Sequence, residues 1–432
     1  MFPSKLTVPL IEINFDTPNR ERFLRDEFGQ RNSQSYTVLG RGSYGVVIKA
    51  LYKGKHVAVK IVEKHRKYRC RYDSLRNEAN VLNLKHDNIV RVLKIISGAQ
   101  YGLVIMERFD GYCLQSVLNQ GYEVTIYHRL LILCDIINGL CFCHRHHIVH
   151  LDVKPQNVIV CLLVPGWSVG DRCSYIRNYS CKLCDFGSSV ELDNFNVAES
   201  KSNRGTIRYM APEMLRGLDG ISDLADVFSF GVTMWQLSEG KDPYESIVSN
   251  EAVAYNVVKK KIRPDSVTTA EILRSEPVAI PSGKNSHHHL SRARKNSDNS
   301  MESSETYLKA NGNSHLSFHS SILVSSNASD QHRPSIDCTT DAMRDVLQQQ
   351  GIDLAANAVN DEDDPDDAPS HAALDALFVQ TVDLHSVNQN YIRQEYRNLY
   401  RKCWQHESVL RPTASDVRST LHGMVERIVC CK

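Results

Sequence analysis

The first part of the chain alternates short apolar runs with polar segments. The runs "YTVLG", "YGVVIKALY", "HVAVKIV" and "GLVIME", within residues 36–106, are rich in β-branched and aromatic residues, which predicts strands. A helical spacing over residues 74–84 interrupts them and places Leu75 and Ala79 toward the interior. The pattern therefore predicts a small sheet with one helix.

From about residue 110 the apolar positions recur every three to four residues, as in "IYHRLLILCDIINGLCFCHRH" and "DLADVFSFGVTMWQLSEG". That period predicts helices. Two more are predicted near the end, in "YIRQEYRNLYRKCWQHESVLRPTASDVRSTLHGMV". A small sheet followed by a helical body predicts an α+β fold in two lobes. We assign residues 34–107 to the N-lobe, and residues 108–264 and 386–432 to the C-lobe.

Residues 265–385 break this pattern. They are rich in Ser, Asn and His, have little periodicity, and contain "HHH" (287–289) and "DEDDPDD" (361–367). This composition predicts a disordered insert outside the folded core, replaceable by a short linker. The three histidines are compatible with a metal site, but a solvated tract is the simpler interpretation. Residues 1–33 are also polar and unpatterned, and we expect a tail.

Composition narrows the possible functions. A net charge of +1 on 432 residues gives no field that would attract nucleic acid or a membrane surface. The N-terminal sequence lacks a basic region followed by an apolar core, and apolar stretches fall short of ~18 residues, so we expect neither a signal peptide nor a membrane span. Thirteen cysteines indicate reduced thiols, and we expect a monomeric cytoplasmic protein. Cys181 and Cys184 have the C-x-x-C spacing of a zinc site but no convincing second pair, so we interpret them as ordinary strand residues.

The stretch "GRGSYGVV" has three glycines in the pattern G-x-G-x-x-G-x-V. Glycine triplets also mark ordinary turns, so the motif alone is weak. Here it lies between two predicted strands, which favours a hairpin over the phosphates of ATP and argues against a dinucleotide-binding fold. Gly40, Gly42 and Gly45 would let backbone N–H groups approach the phosphates, and Val47 would cover the adenine.

Lys60 ends the run "HVAVK", 15 residues after Gly45 and on the next predicted strand. A lysine there can reach the α- and β-phosphates of ATP, but it needs a carboxylate to hold it. Glu78 on the predicted helix is the candidate. Either charge alone is most simply a solvated surface residue, whereas the two together favour a buried pair.

The motifs "HLDVKPQN" and "CDFG" supply the remaining chemistry. Asp152 would orient the substrate hydroxyl and accept its proton, and Lys154 would neutralise charge on the transferred phosphoryl group. Asn157 and Asp185 would hold Mg²⁺. Phosphoryl transfer depends mainly on positioning and charge neutralisation, and this set provides both.

The segment "GTIRYMAPE" then closes an activation segment, Asp226 starts a buried helix, and Arg411 is placed to pair with Glu213. These six motifs in this order resemble the eukaryotic protein kinase family over residues 36–264 and 386–432. The family resemblance implies a bilobal kinase fold. The chain departs from the family pattern in the long hairpin "CLLVPGWSVGDRCSYIRNYSCK" and in the insert. The resemblance therefore does not identify the surfaces that bind substrate and partners.

Within that family, the loop "HLDVKPQN" together with "LKHDNIVRVL" and "CWQHESVLRP" looks like the Mos kinases. This resemblance implies a Ser/Thr kinase that uses ATP and Mg²⁺ to phosphorylate a MAP kinase kinase in maturing oocytes. The nucleotide-binding residues it implies are Gly40, Gly42, Gly45, Val47, Ala58, Lys60, Met106 and Ile159. The alternatives are a kinase-fold scaffold without catalysis and a Ser/Thr kinase with another protein substrate. All catalytic positions are present, which favours an enzyme.

Leu151 replaces the Arg of the usual H-R-D motif. In many kinases that Arg is a buried cation that a phosphate on the activation segment neutralises. Without the cation, we expect phosphates on Ser200 or Ser202 to be unnecessary. Thr206 is expected to hydrogen-bond Asp152 and Lys154 instead of serving as a phosphorylation site.

The sequence also predicts part of the substrate preference. Kinases that select Arg near the target often have Glu where this chain has Gln156 and Gln236. Without those carboxylates a basic peptide loses charge-assisted hydrogen bonds. We therefore expect little preference for basic peptides.

Overall fold

The computed structural model describes residues 12–13, 38–42, 45–63, 74–98, 101–163, 177–194, 204–217, 221–266, 347, 349–353, 369–379 and 389–430. The strands in these ranges are β1 (Glu12–Ile13), β2 (Val38–Gly42), β3 (Gly45–Tyr52), β4 (Lys55–Glu63), β5 (Val92–Gly98), β6 (Tyr101–Glu107), β7 (Gly111–Cys113), β8 (Ile148–Val149), β9 (Val158–Leu162), β10 (Tyr179–Leu183), β11 (Val190–Glu191) and β12 (Ile352–Asp353). The α-helices are α1 (Leu114–Asn119), α2 (Ile126–Arg145), α3 (Pro212–Leu215), α4 (Leu224–Glu239), α5 (Asn250–Tyr255), α6 (His371–Leu377), α7 (Gln389–Cys403) and α8 (Ala414–Cys430).

One sheet forms the N-lobe. Its strand order is β1-β5-β6-β4-β3-β12, and β2 pairs with the first half of β3. Alternation along β3 puts Val46, Ile48 and Ala50 in a buried apolar cluster on one face. Val47 lies on the opposite face, directly across from Lys60 on β4. The sheet therefore separates a hydrophobic layer from the face that meets the C-lobe.

The C-lobe is built around α2 and α4, which are buried on nearly all sides. Helix α8 packs on α2, and α7 packs on α4. Within the described residues, α2 is the one helix long and apolar enough to cross a membrane, but 83% of its apolar window is buried inside the protein. That burial identifies α2 as the core helix of a folded lobe. The predicted two-lobed α+β fold is confirmed.

The N-lobe helix is shorter than the sequence predicts. Residues 74–77 form one helical turn, and the chain continues as the 3₁₀-helix Glu78–Val81. Because a 3₁₀-helix has three residues per turn, the buried positions become Leu75, Glu78 and Val81. Ala79, expected inside, is exposed.

The expectation that residues 265–385 are disordered is wrong at residues 265–266, which end the 3₁₀-helix Pro264–Ser266, and for two further stretches. Strand β12 pairs with the end of β3, and helix α6 buries Leu374 and Leu377 against the C-lobe core. In α6, Leu374, Leu377 and Phe378 have a helical spacing that the polar composition of the whole insert obscures, whereas β12 is too short to show a period. A replacement of the insert that removed residues 369–379 would therefore remove part of the core.

Other predictions fall outside the described residues. These are most of the N-terminal tail, the three histidines, the acidic run, Ser200 and Ser202. Residues 12 and 13 of the tail do form β1, which pairs in parallel with β5.

Candidate active site

Lys60 lies in a buried group of charges between the two lobes. Its Nζ donates to Glu78 Oε1 at 2.6 Å and to Asp185 Oδ1 at 2.7 Å. The backbone N–H of Phe186 donates to the other oxygen of Glu78 at 3.2 Å. Three motifs that are far apart in sequence thus meet at one ammonium group, as the kinase reading predicts.

Burial and charge act against each other in this group. Burial would lower the pKa of Lys60, but the carboxylates of Asp185 and Glu78 outweigh it, and the pKa is raised. Burial likewise opposes ionisation of Asp185, yet the attraction of Lys60 holds its pKa below the usual value of 3.8. Burial raises the pKa of Glu78 against the opposing effect of Lys60. Lys60 and Asp185 are therefore both charged at neutral pH.

Asp152, Lys154 and Thr206 form a second hydrogen-bonded group. Lys154 Nζ donates to Asp152 Oδ2 at 2.7 Å and to Thr206 Oγ1 at 2.5 Å. Thr206 Oγ1 donates to Asp152 Oδ1 at 2.7 Å. Asn157 Nδ2 donates to the backbone oxygen and to Oδ2 of Asp152, at 2.8 and 3.0 Å. Both carboxylate oxygens of Asp152 are thus fixed in direction.

The backbone of this loop is held by Asp226 in the first turn of α4. The N–H groups of His150 and Leu151 donate to its two carboxylate oxygens at 2.8 and 2.7 Å. Leu151 has a φ of 65°, a conformation that branched residues seldom adopt. The two charge-assisted hydrogen bonds hold the loop in this conformation.

The side chain of Leu151 lies in an apolar environment. It is 5% exposed and belongs to the hydrophobic core of the C-lobe. An aliphatic side chain needs no neutralising partner there, whereas a guanidinium would. The geometry supports the interpretation that the loop retains its chemistry without the usual cation.

The predicted nucleotide-binding residues on β3, β4, β6 and β9 occupy buried or half-buried strand positions. Ala58 is opposite Met106 in the β4–β6 register, two residues before Lys60 and on the same face. Val47 and Ile159 are each half-buried between two fully buried neighbours, on β3 and β9. Partial exposure at alternate positions is expected of residues that border an open cleft.

The glycine motif forms the β2–β3 hairpin, in which Gly42 lies opposite Gly45. The two outer glycines differ in their surroundings. A Cβ on Gly45 would collide with the backbone carbonyl of Ile61, whereas a Cβ on Gly40 would meet nothing within 4 Å. Close approach of β4 therefore requires glycine at position 45, in addition to any contact with phosphates.

The end of the activation segment is tied to the C-lobe. Arg411 Nη1 and Nη2 donate to the two oxygens of Glu213 at 2.6 and 2.8 Å, the pair that the sequence predicts. Tyr209 OH donates to Gln236 Oε1 at 2.6 Å, and Gln236 Nε2 donates to Asp242 Oδ1 at 2.9 Å. A carboxylate therefore lies beside Gln236, which sequence reasoning missed because Asp242 belongs to no motif.

Sequence reasoning also missed how the N-lobe helix is fastened to the segment after Asp185. Asn77 Nδ2 donates to the carbonyl of Gly187 at 2.8 Å, and Asn80 Nδ2 donates to Ser189 Oγ at 3.0 Å. Ser189 Oγ in turn donates to the carbonyl of Asn77 at 3.1 Å. These contacts hold Glu78 next to Lys60. The one sequence signal is two asparagines three residues apart around that glutamate.

The side chains at the site fit a nucleotide with a divalent metal ion. Asp185 offers carboxylate oxygens, and the described hydrogen bonds of the Asn157 side chain use only Nδ2, which leaves Oδ1 as a ligand. Oxygen ligands of this kind suit Mg²⁺. Lys60 is positioned to neutralise phosphate charge beside them.

Comparison with known proteins agrees with this geometry. The protein kinase domain model matches residues 33–330. Serine/threonine-protein kinase mos of Gallus gallus is 33% identical over 251 residues, which cover 52% of this chain and 66% of that protein. The mos proto-oncogene kinase of Mus musculus is 32% identical over 244 residues, covering 52% and 66%. The transforming protein mos of myeloproliferative sarcoma virus (isolate ts159) is 32% identical over 256 residues, covering 55% and 70%.

These matches span between 66% and 70% of the relatives' lengths. The match to the family model ends at residue 330, before α7 and α8. These two helices pack on α4 and α2 of the C-lobe. The chain belongs to the protein kinase family and is a serine/threonine protein kinase that resembles Mos.

Proposed function

We propose that this kinase uses ATP and Mg²⁺ to phosphorylate a serine or threonine of a MAP kinase kinase, and so activates a MAP kinase cascade. We further propose that it acts in the cytoplasm during the meiotic maturation of oocytes. The observation that carries the catalytic part is the joint placement of Lys60, Glu78 and Asp185 within hydrogen-bonding distance.

The residues of the chain divide the work of phosphoryl transfer. Asp152 is oriented by Lys154, Thr206 and Asn157, so that its carboxylate can receive the proton of a substrate hydroxyl. Lys60 is held in place by Glu78 to neutralise phosphate charge. When bound at Asp185 and Asn157, the metal ion would add charge neutralisation between the phosphates.

The choice of substrate rests on the resemblance to Mos, both in the loop around Leu151 and in the relatives named above. A kinase with leucine at position 151, in place of the arginine of the H-R-D motif, needs no phosphate to neutralise a charge there. Such an enzyme can phosphorylate the next kinase of a cascade as soon as it is synthesised. This property suits a kinase controlled by its own abundance.

The test is phosphate transfer from ATP to a purified, catalytically dead MAP kinase kinase. We expect phosphate on the activation-loop residues of that substrate, and none on a version in which they are alanine. The Lys60→Met variant of the present chain is the control for contaminating kinases. Mass spectrometry of the product identifies the modified residues.

Two alternatives predict other results. A scaffold without catalysis would transfer no phosphate to any acceptor, even at saturating ATP and Mg²⁺. A kinase with a different substrate would phosphorylate a generic protein acceptor and leave the MAP kinase kinase unmodified.

A further inference from the structure

One part of the insert, at residues 347 and 349–353, contacts the N-lobe. Leu347 and Ile352 are 0% and 1% exposed and belong to the apolar cluster on the outer face of the sheet. Ile352 pairs with Tyr52, and Asp353 pairs with Leu51, in antiparallel register. The insert thus fills a face of the nucleotide-binding lobe.

The strand it adds pairs with a part of β3 where no other described strand pairs on that edge. Strand β2 pairs with β3 only between Gly45 and Ile48, and β12 pairs with β3 at residues 51–52. Lys94 Nζ on β5 donates to Gln350 Oε1 at 3.2 Å, which adds a polar contact. Addition of a strand to a free edge, with apolar side chains in a neighbouring cluster, is a common mode of peptide binding.

A second contact of the insert lies on the C-lobe, at α6 and the two residues after it. The ring of Phe378 lies 5.1 Å from Tyr179, 5.4 Å from His128 and 5.7 Å from Tyr122, measured between ring centroids. Leu374 and Leu377 are buried beside it. An aromatic cluster of this kind fixes the segment on the lobe.

Hydrogen bonds complete the C-lobe contact. His128 Nε2 donates to the carbonyl of Val379 at 3.2 Å, while its Nδ1 accepts from Tyr179 OH at 2.9 Å. Tyr122 OH donates to Asp375 Oδ1 at 3.0 Å. The segment 369–379 is therefore fixed on the C-lobe. Residues 354–370 connect it to β12.

We propose that residues 347–353 are an intramolecular ligand of the N-lobe, and that their docking stabilises the nucleotide-binding strands. The docked interface is small: two backbone pairs and two buried side chains among the six described residues, 347 and 349–353. Such an interface is weak between separate molecules, because the ordering entropy opposes it. A 17-residue connection to the C-lobe contact supplies the ligand at an effective concentration on the order of millimolar.

The docked residues contact β3, the strand that connects them to the nucleotide-binding positions. This strand runs without interruption from Gly45 to Tyr52, carries Val47 on its cleft face, and pairs with β4 up to Lys60. Ile48 and Val59, the neighbours of Val47 and Lys60, share the cluster that Leu347 and Ile352 complete. Loss of docking should therefore loosen β3 and weaken ATP binding.

The experiment places protease sites in the full chain after residue 305 and after residue 360. Either single cut leaves residues 347–353 tethered, through 354–370 in the first case and through 267–346 in the second. The double cut frees a fragment of residues 306–360. ATP binding is measured by calorimetry, and protection of β3 by hydrogen exchange, before and after gel filtration.

We expect both single-cut proteins to bind ATP as the intact chain does. After the double cut and removal of the fragment, we expect at least a threefold higher Kd for ATP and faster exchange in β3. Addition of the purified fragment should restore both. A fragment that stays bound through gel filtration would contradict the proposal that the contact depends on the covalent connection, since an interface of this size should dissociate without it.

A point variant tests the same contact without cleavage. Ile352→Asp should reproduce the double cut, and Gln349→Asp, at an exposed neighbouring position, should not. Release of the fragment with no change in Kd or in exchange would overturn the proposal. Because neither readout involves phosphorylation of a MAP kinase kinase, this result would not bear on the proposed substrate.

Discussion

Among single residues, Lys60 and Asp185 depend on each other. Each is buried or partly buried, and each offsets the other's burial through the 2.7 Å contact. Substitution of either leaves the partner with reduced neutralisation and removes a charge that phosphoryl transfer uses.

We predict that Lys60→Met and Asp185→Asn each lower kcat by at least ~10²-fold, about 2.7 kcal/mol in activation free energy. The measurement is steady-state phosphate transfer to a protein acceptor. Lys85→Met, at an exposed position, is the matched control and should retain full activity. Near-normal turnover by purified Asp185→Asn protein would refute the mechanism.

Leu151 provides a second prediction about a single side chain. Leu151→Arg would place a guanidinium where an aliphatic chain is 5% exposed within the C-lobe core. We expect a loss of about 2–4 kcal/mol in the free energy of unfolding, the usual range for a buried unpaired charge. Urea denaturation measures it, and Leu151→Met, which keeps the volume and polarity, should cost less than about 1.5 kcal/mol. Equal stability of the Arg and Met variants would contradict this account.

At the level of elements, the activation segment is held near its end by contacts of the Thr206 hydroxyl. Thr206 both accepts from Lys154 and donates to Asp152. Gly205 before it has a φ of 95° and lies against the carbonyl of Leu151, so the chain has little freedom to compensate. The hydroxyl of Thr206 is therefore part of the orientation of Asp152.

We predict that Thr206→Ala lowers kcat by at least ~10-fold, because Asp152 loses one of its fixed partners. Thr206→Ser keeps the hydroxyl and should retain most of the activity. Both are measured by phosphate transfer with phosphatase-treated enzyme, so that loss of a phosphate cannot explain a difference. If Thr206→Ser is as inactive as Thr206→Ala, loss of the hydroxyl is not the cause of the lower kcat.

The segment 369–379 is a second element whose contribution can be measured. Leu374, Leu377 and Phe378 are all buried, and full burial of such a side chain contributes about 1.5–3 kcal/mol. We predict that replacing residues 370–379 with a Gly/Ser linker of equal length lowers the free energy of unfolding by at least ~3 kcal/mol. Thermal and urea denaturation test this.

The control for this exchange is the same linker in place of ten residues within 300–320. We expect no change in stability there, because composition in that part predicts no packed core. Equal stability of both exchanges would mean that α6 contributes nothing to the fold.

For the whole molecule, the prediction concerns how activity is switched on. The core places Lys60, Glu78 and Asp185 in contact, and position 151 carries a buried leucine in place of the arginine that a phosphate would neutralise. We therefore predict that enzyme stripped by a phosphatase keeps most of its activity toward a MAP kinase kinase. Ser200→Ala and Ser202→Ala should be nearly silent.

The measurement compares initial rates before and after phosphatase treatment, with complete dephosphorylation checked by mass spectrometry. A kinase that retains the Arg of H-R-D and is known to lose activity under the same treatment serves as the control. Collapse of the wild-type rate would show that a phosphate does stabilise the active arrangement.

The lobes, the order of the motifs and the identity of the charged residues could be predicted from the amino-acid sequence. Each of these is a local pattern: a glycine hairpin, a strand ending in Lys60, a loop with Asp152, a turn with Asp185. The residue types at these positions can be recognised because phosphoryl transfer tolerates few substitutes for them. The spacing of apolar residues predicted the strands and the long helices.

The burial of residues outside these patterns follows from tertiary contacts and could not be predicted from the sequence. Leu347 and Ile352 stand among mostly polar residues, and Phe378 ends a short apolar stretch. Their burial depends on a sheet edge and an aromatic cluster formed elsewhere. The same holds for Asp242 beside Gln236 and for the close approach of β4 that requires Gly45. Contacts between distant segments leave no local period, because the energy that selects them arises only when the rest of the fold is in place.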